Sequence, residues 1–246
     1  MKIEPISTLR NTSNELSKLT EGENTWLLKR YQGKDSLSHR ENEEARLRAW
    51  LAGGYPVPEI ADLNLPSEQQ PYLVIQWLEG ESLGEFLTSD EIPDPEKLER
   101  LQRIIAQFHS RHKYVQQHQD LAFIHHDPNT GNIFLTQDSD YYIDFEESVS
   151  QGSKSITDLK AIELAKLIRW SARDMGRENL PDILRLTVEI YGEDSEIIAT
   201  LIDRVYRQPL QFFQRYKDRR KKIANVHEIT KYDLADGFTR VLEDSA

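Results

Sequence analysis

His125-His126-Asp127-Pro128-Asn129-Thr130-Gly131-Asn132-Ile133-Phe134-Leu135 is followed closely by Tyr141-Tyr142-Ile143-Asp144-Phe145-Glu146. The two segments set two carboxylates and an amide in a fixed order, on loops flanking an apolar hairpin. Pro128 and Gly131 favour a loop that turns the Asn132 carboxamide back toward Asp127. Ile133-Phe134-Leu135 anchors that loop as a short strand, and Gln137-Asp138-Ser139-Asp140 supplies the turn that leads to Asp144. Such an order suits phosphoryl transfer, which asks for positioning and charge neutralisation more than covalent chemistry. Asp127 is the candidate to face an acceptor hydroxyl and take its proton. Asn132 and Asp144 are candidates to hold Mg²⁺, a hard cation that prefers oxygen. Taken singly, each of the three is an ordinary turn residue; the ordered set is what points to catalysis.

Working outward from this stretch, the preceding chain reads as β-rich and the following chain as helical. Trp26-Leu27-Leu28-Lys29-Arg30-Tyr31 is a strand candidate after the turn signal Glu21-Gly22-Glu23-Asn24. Residues 37–52 switch to helical periodicity and end at Gly53-Gly54, with Pro56 and Pro58 enforcing an extended exit. Tyr72-Leu73-Val74-Ile75-Gln76-Trp77 is a second buried strand, closed by Glu79-Gly80. Leu98, Leu101, Ile104, Ile105 and Phe108 place a helix over 95–118. Further amphipathic helices are expected over 158–175, 180–191, 195–218 and 226–243. The fold class is therefore α+β with two lobes: a small β-rich lobe over 1–78 with one helix, and a larger helical lobe over 79–246. A cleft between such lobes is a natural place for a ligand.

Lys29, in a strand, can reach phosphates as a point charge. It needs an acidic partner, and the next helix offers Glu41, Glu43 and Glu44. Glu44 is the expected partner, because Glu44-Ala45-Arg46-Leu47 opens the apolar stripe.

With these residues in place, the chain resembles the protein-kinase-like superfamily. The resemblance runs over most of residues 20–170: a strand lysine, a helix glutamate, a hinge, a His-x-Asp-x-x-x-x-Asn loop and an Asp-Phe-x loop, in that order. It implies ATP and Mg²⁺ as cofactors, with Asp127 as catalytic aspartate, Asn132 and Asp144 as metal ligands, Lys29 as phosphate lysine and Glu44 as its partner. It also implies that His125 packs beneath the loop, that Ile75 sits behind the adenine, and that the backbone of Gln76 and Leu78 pairs with it. A later acidic residue, Asp158 or Glu163, would brace the catalytic loop.

Three departures narrow the resemblance. No Gly-x-Gly-x-x-Gly precedes Lys29, so Leu9-Arg10-Asn11-Thr12-Ser13-Asn14 must cover the phosphates. Asp-Phe-Glu stands where Asp-Phe-Gly is usual, and no Ala-Pro-Glu follows. The chain is thus similar to the small atypical branches: lipopolysaccharide Kdo and heptose kinases, the small kinase of the KEOPS complex, and aminoglycoside or choline phosphotransferases. The expected acceptor is a sugar or other small-molecule hydroxyl, with a protein serine as runner-up and a nucleotide-binding pseudokinase as the reading from another class.

Composition limits the alternatives. The chain has 246 residues and a net charge of −11, which argues against broad binding to nucleic acid or anionic membrane. Arg215–Lys222 is the one dense basic run, read first as a solvated helix end. With no cysteine there is no disulfide framework or thiolate zinc site. His109 and His112 stand one helical turn apart without a Cys or acidic pair in sequence to complete a zinc set. No signal-like or membrane-spanning run is present, so a cytoplasmic protein is expected, with peripheral contact at the inner membrane face compatible.

Overall fold

The computed structural model describes residues 1–6, 14–65, 69–149, 151–207, 215–218 and 228–244. Contacts divide the chain into two compact units, Met1–Glu81 with Phe134–Val149, and Ser82–Ile133 with Ser150–Ala246.

The first unit is built on an antiparallel sheet. Strands β1 (Lys2–Pro5), β2 (Glu15–Glu21), β3 (Asn24–Arg30) and β4 (Tyr72–Gln76) lie in the order β1-β2-β3-β4. Gly22, at φ 61°, occupies the first position of the two-residue turn joining β2 to β3. A positive φ there matches the strand twist, and glycine adopts it without a Cβ clash. The β3–β4 register sets Lys29 opposite Leu73 and Leu27 opposite Ile75. Leu19, Leu28, Leu65 and Val74 form the core on one face of this sheet.

Helix α1 (Ser36–Ala52) buries Glu43, Arg46, Leu47 and Trp50. Those positions follow the i, i+3, i+4, i+7 spacing of one helical stripe. Trp50 is fully buried, with Tyr55, Tyr142 and Phe145 at centroid distances of 5.7, 5.3 and 4.8 Å. This aromatic cluster explains why residues 134–149, expected with the helical part, make their contacts in the first unit. They carry the hairpin of β6 (Ile133–Leu135) and β7 (Asp140–Tyr142), which with β5 (Glu81–Ser82) forms a sheet of order β5-β6-β7. Gly80 passes so close to β6 that a Cβ would lie 1.9 Å from the Leu135 carbonyl oxygen. Only glycine fits at that approach.

The second unit is mostly helical: α2 (Leu83–Thr88), α3 (Asp94–His118), α4 (Ile156–Met175), α5 (Leu180–Ile190), α6 (Ser195–Tyr206) and α7 (Lys231–Asp244). Local signals set the starts. Ser82 with Glu85, and Ser155 with Asp158, form capping boxes at α2 and α4. Gln119, at φ 55°, ends α3 in the left-handed conformation. Of the helices expected from periodicity, the one placed over 195–218 ends earlier, at Tyr206. The stretch 208–214 lies outside the described residues, as does 219–227, which holds the rest of the basic run. Arg215 itself pairs with Asp236 at 3.3 Å and lies over the Tyr232 ring. With an antiparallel sheet in one unit and helices in the other, the chain is an α+β protein.

Candidate active site

In the first unit Lys29 is 7 % exposed and its ammonium is surrounded by acids. Nζ donates to Glu43 Oε2 at 2.7 Å and to Asp144 Oδ1 at 2.9 Å, and lies 3.6 Å from Glu146 Oε2. Burial by itself lowers the lysine pKa. The three carboxylates outweigh it and raise the pKa well above the ordinary lysine value, so the ammonium stays charged. Tyr31 donates its hydroxyl to the same Glu43 oxygen. Burial first, then the Glu43 carboxylate, drives that phenol far above its usual range.

The partner of Lys29 is therefore Glu43 and not Glu44. Glu44 points away, pairing with Arg40 at 2.7 Å and Arg48 at 2.9 Å along its own helix. The physical reason is the phase of the stripe. Counting back from Leu47 and Trp50 by four and seven residues reaches Glu43, whereas Glu44 is rotated roughly 100° from it. Two of the four inward positions, Glu43 and Arg46, are polar, so the apolar residues alone mark only part of the buried face. An expected result follows. Glu43→Gln raises the KM for Mg-ATP several-fold, whereas Glu44→Gln leaves it within twofold; initial rates at varied nucleotide check this, and equal effects would restore Glu44 to the role.

Asp144 adopts φ 68°, a left-handed conformation that aspartate tolerates better than most residues. Its neighbours hold it there. Phe145 is buried against Trp50, with the Arg46 guanidinium 5.1 Å from its ring centroid. Arg46 donates to the Glu147 carbonyl and Asn42 to that of Glu146. Asn14 donates to the Glu146 carboxylate, while its own Oδ1 accepts from Gln32 N–H. Of the segment expected to cover phosphates, Asn14 alone is described; residues 9–13 lie outside the described residues. Glu43, Asp144 and Glu146 offer carboxylate oxygens within 4.8 Å of one another.

Ile75 is buried in β4, bridged to Ile60 as well as paired with Leu27. The Gln76 N–H is committed to the Glu59 carbonyl at 2.8 Å. Its backbone can therefore meet a purine only through its own carbonyl. Leu78 is half-buried in the loop that follows.

The second unit holds the loop that carries Asp127 and Asn132. Asp127 is half exposed, and Asn129 Nδ2 donates to its Oδ2 at 2.8 Å. Asn132 Nδ2 donates to the Asp127 carbonyl at 2.9 Å, the turn-back that Pro128 and Gly131 favour. His125 is buried, and its Nδ1 accepts from the Asp127 N–H at 3.2 Å. Thr130 donates to Asp174 near the end of α4.

Between the two proposed braces the structure selects Glu163. Its Oε1 accepts from His125 N–H at 2.7 Å and pairs with Arg111 at 2.7 Å; its Oε2 meets His112 Nε2 at 2.9 Å. Asp158 instead caps α4 and pairs with Arg204. Burial raises the Glu163 carboxyl, but Arg111 and the hydrogen bonds from His112 and His125 outweigh it and hold it at about 2. Burial lowers His112, which keeps its ring neutral. With Nε2–H donating to Glu163, Nδ1 accepts from Tyr191 Oη at 2.9 Å. His109 meets Asp194 at 2.6 Å. Both histidines thus serve packing and hydrogen bonding in the helical unit.

Two contributors went unnoticed in the sequence. Glu146 stands where a glycine is usual, and nothing in the sequence ties it to Lys29. Lys166 donates to the His126 carbonyl and lies 3.9 Å from Asp127 Oδ1. Its signal was present: Glu163 and Lys166 stand at i and i+3 on α4, hence on one face.

Residues 3–116 match the model of the phosphotransferase enzyme family. The match spans β1 to α3, including Lys29 and Glu43, and stops before the Asp127 loop. No curated protein matches the chain in sequence. Solved structures do match, among them WaaP in complex with acyl carrier protein, at 15% identity over 80% of this chain and 85% of that one, with a TM-score of 0.49. Among the described residues no helix is long and apolar enough to cross a membrane. The family match, which covers somewhat less than half of the chain, supports a phosphotransferase.

Proposed function

We propose that this chain is an ATP- and Mg²⁺-dependent kinase that transfers the γ-phosphoryl group to the hydroxyl of a sugar or similar small molecule, in the cytoplasm. The observation that carries the reading is the Lys29 ammonium, buried and held jointly by Glu43 and Asp144. A scaffold has no need of a charged lysine fixed between a helix carboxylate and a strained aspartate, whereas a triphosphate does.

The donor set fits Mg²⁺. Asp144 and Glu146 offer hard carboxylate oxygens in the first unit. In the second, Asn132 has its Nδ2 engaged by the Asp127 carbonyl, leaving Oδ1 as the atom for a cation. When bound, Mg²⁺ neutralises phosphate charge and orients the γ-phosphoryl group. Lys29 binds the α- and β-phosphates of ATP, and Glu43 keeps it aimed. Ile75 backs the adenine, the Gln76 carbonyl accepts from its amino group, and the Leu78 backbone pairs beside it. Asp127 aligns the acceptor hydroxyl. The acceptor oxygen bonds to the γ-phosphorus, the bond to the β,γ-bridging oxygen breaks with its electron pair leaving on ADP, and the acceptor proton passes to Asp127.

The preference for a small acceptor rests on the short connection after Asp144. Phe145 is buried and the backbone of Glu146 and Glu147 is tied to α1, while α4 already begins at Ile156. That leaves little chain to form a peptide-docking platform.

A γ-labelled ATP transfer screen over sugars, lipid-linked sugars, aminoglycosides and generic protein substrates tests the proposal, with Asp144→Ala as control. Label is expected on a small-molecule hydroxyl and absent in the control. Label on protein serine would replace the acceptor assignment, and a thermal shift with Mg-ATP but no transfer to anything would make the chain a binding module.

A further inference from the structure

Phosphoryl transfer spreads negative charge over three equatorial oxygens, and a cation placed at the transferring group lowers the barrier. The loop from His125 to Asn132 contains no lysine or arginine. Arg111, which lies nearby, is fully buried and committed to Glu163 and to the Phe123 carbonyl. Among the described residues, Lys166 is the one cation paired with the Asp127 carboxylate.

From this geometry we infer that Lys166 is a further catalytic residue, whose ammonium contacts the phosphoryl group as it passes to the acceptor at Asp127. The inference rests on the phosphotransferase reading and adds to it a cation delivered by α4 to a loop that has none of its own. An ammonium has three donors. One is taken by the His126 carbonyl, which pins the group to the loop beside Asp127. The 3.9 Å separation from Asp127 Oδ1 is Coulombic contact and too long for a hydrogen bond. Donors therefore remain for an anionic oxygen. Lys166 and Asp127 are 32 % and 49 % exposed in their side chains, so such an oxygen can approach both. Glu163, one turn earlier on the same face of α4, holds the loop by the His125 N–H. One helix face thus fixes the loop at His125 and supplies its charge at Asp127. A solvated surface ion pair would need neither the anchor to a backbone carbonyl nor the shared face.

In the reaction the acceptor oxygen–phosphorus bond forms, the bond to the bridging oxygen of ADP breaks, and the proton goes to Asp127. Lys166 exchanges no proton; it donates hydrogen bonds to the equatorial oxygens throughout.

The test compares binding of Mg-ADP with and without aluminium fluoride, a planar anionic stand-in for the transferring group, in wild type, Lys166→Met and Lys166→Arg by calorimetry. Aluminium fluoride is expected to tighten wild-type binding. Lys166→Met should lose that tightening by about 100-fold with Mg-ADP affinity alone unchanged, and Lys166→Arg, which keeps the charge, should retain most of it. Equal tightening in wild type and Lys166→Met overturns the assignment, as does a loss of plain Mg-ADP binding in both variants, which would make Lys166 a support for the fold of the loop. Wild type that binds no Mg-ADP at all removes the phosphotransferase reading, and this one with it.

Discussion

Asp127→Asn lowers phosphoryl transfer by about 10²- to 10⁴-fold, the span expected when a positioned general base is lost. The substitution preserves volume, and the amide oxygen can still accept from Asn129 Nδ2, as Oδ2 of Asp127 does at 2.8 Å. The turn-back of Asn132 also survives, because it uses the Asp127 backbone carbonyl. What disappears is a group able to take the acceptor proton and a negative charge that orients the hydroxyl. Binding of Mg-ATP should stay within twofold, since the proposed phosphate and adenine contacts belong to Lys29, Ile75, Gln76 and Leu78. Initial rates on the acceptor found by the transfer screen, together with calorimetry of nucleotide binding, separate the two quantities. Near wild-type turnover would remove Asp127 from the chemistry.

Glu163→Ala destabilises the protein by about 3–5 kcal/mol, because it leaves the buried Arg111 guanidinium without its counter-charge. Arg111 and Glu163 are 0 % and 1 % exposed, so water cannot take the place of the missing carboxylate. For a chain of this length the loss lowers Tm by roughly 6–20 °C. The same side chain writes a pH dependence. Its carboxyl lies at about 2 in the folded protein against an ordinary value of 4.5, so the folded state binds its proton more weakly. The contribution is fully present above pH 4.5 and is lost as pH falls from 4.5 toward 2, amounting to on the order of 3 kcal/mol. His112 acts in the same direction from a higher pH. Its folded pKa is lowered from 6.5, so unfolding takes up a proton and stability begins to fall below pH 6.5. Urea unfolding at pH 7.5, 5.5 and 3 measures both. Glu163→Ala should start less stable and lose less between pH 5.5 and 3; an unchanged acid slope would mean that the Glu163 carboxyl titrates normally.

Much of the architecture was legible because its signals are local. Gly22 in a two-residue turn, Gly53-Gly54 after a helix, and the 3.6-residue periodicity of 95–118 and 158–175 each act within a few residues. The return of Asn132 to Asp127 is equally local, closed within one loop. The choice of Glu43 over Glu44 was harder. It depends on the rotation of α1 about its axis, and the polar pair Glu43 and Arg46 obscures the stripe that would reveal that rotation. Glu163 and Lys166 shared a face in the sequence, but no local rule says that this face meets the His125 loop.

Chain order and short-range stereochemistry were enough to specify the succession of strands and helices, the turn-back of the Asp127 loop and the residue types available for phosphoryl transfer. Pairing was decided in three dimensions: Lys29 with Glu43 and Asp144, Glu163 with Arg111 and the His125 backbone, Lys166 with the Asp127 loop. Those contacts join residues from 14 to 115 positions apart, and which of several like-charged side chains makes each one depends on how whole elements rotate to bury Trp50, Phe145 and their neighbours. That rotation is a property of the packed core, which no window of sequence contains.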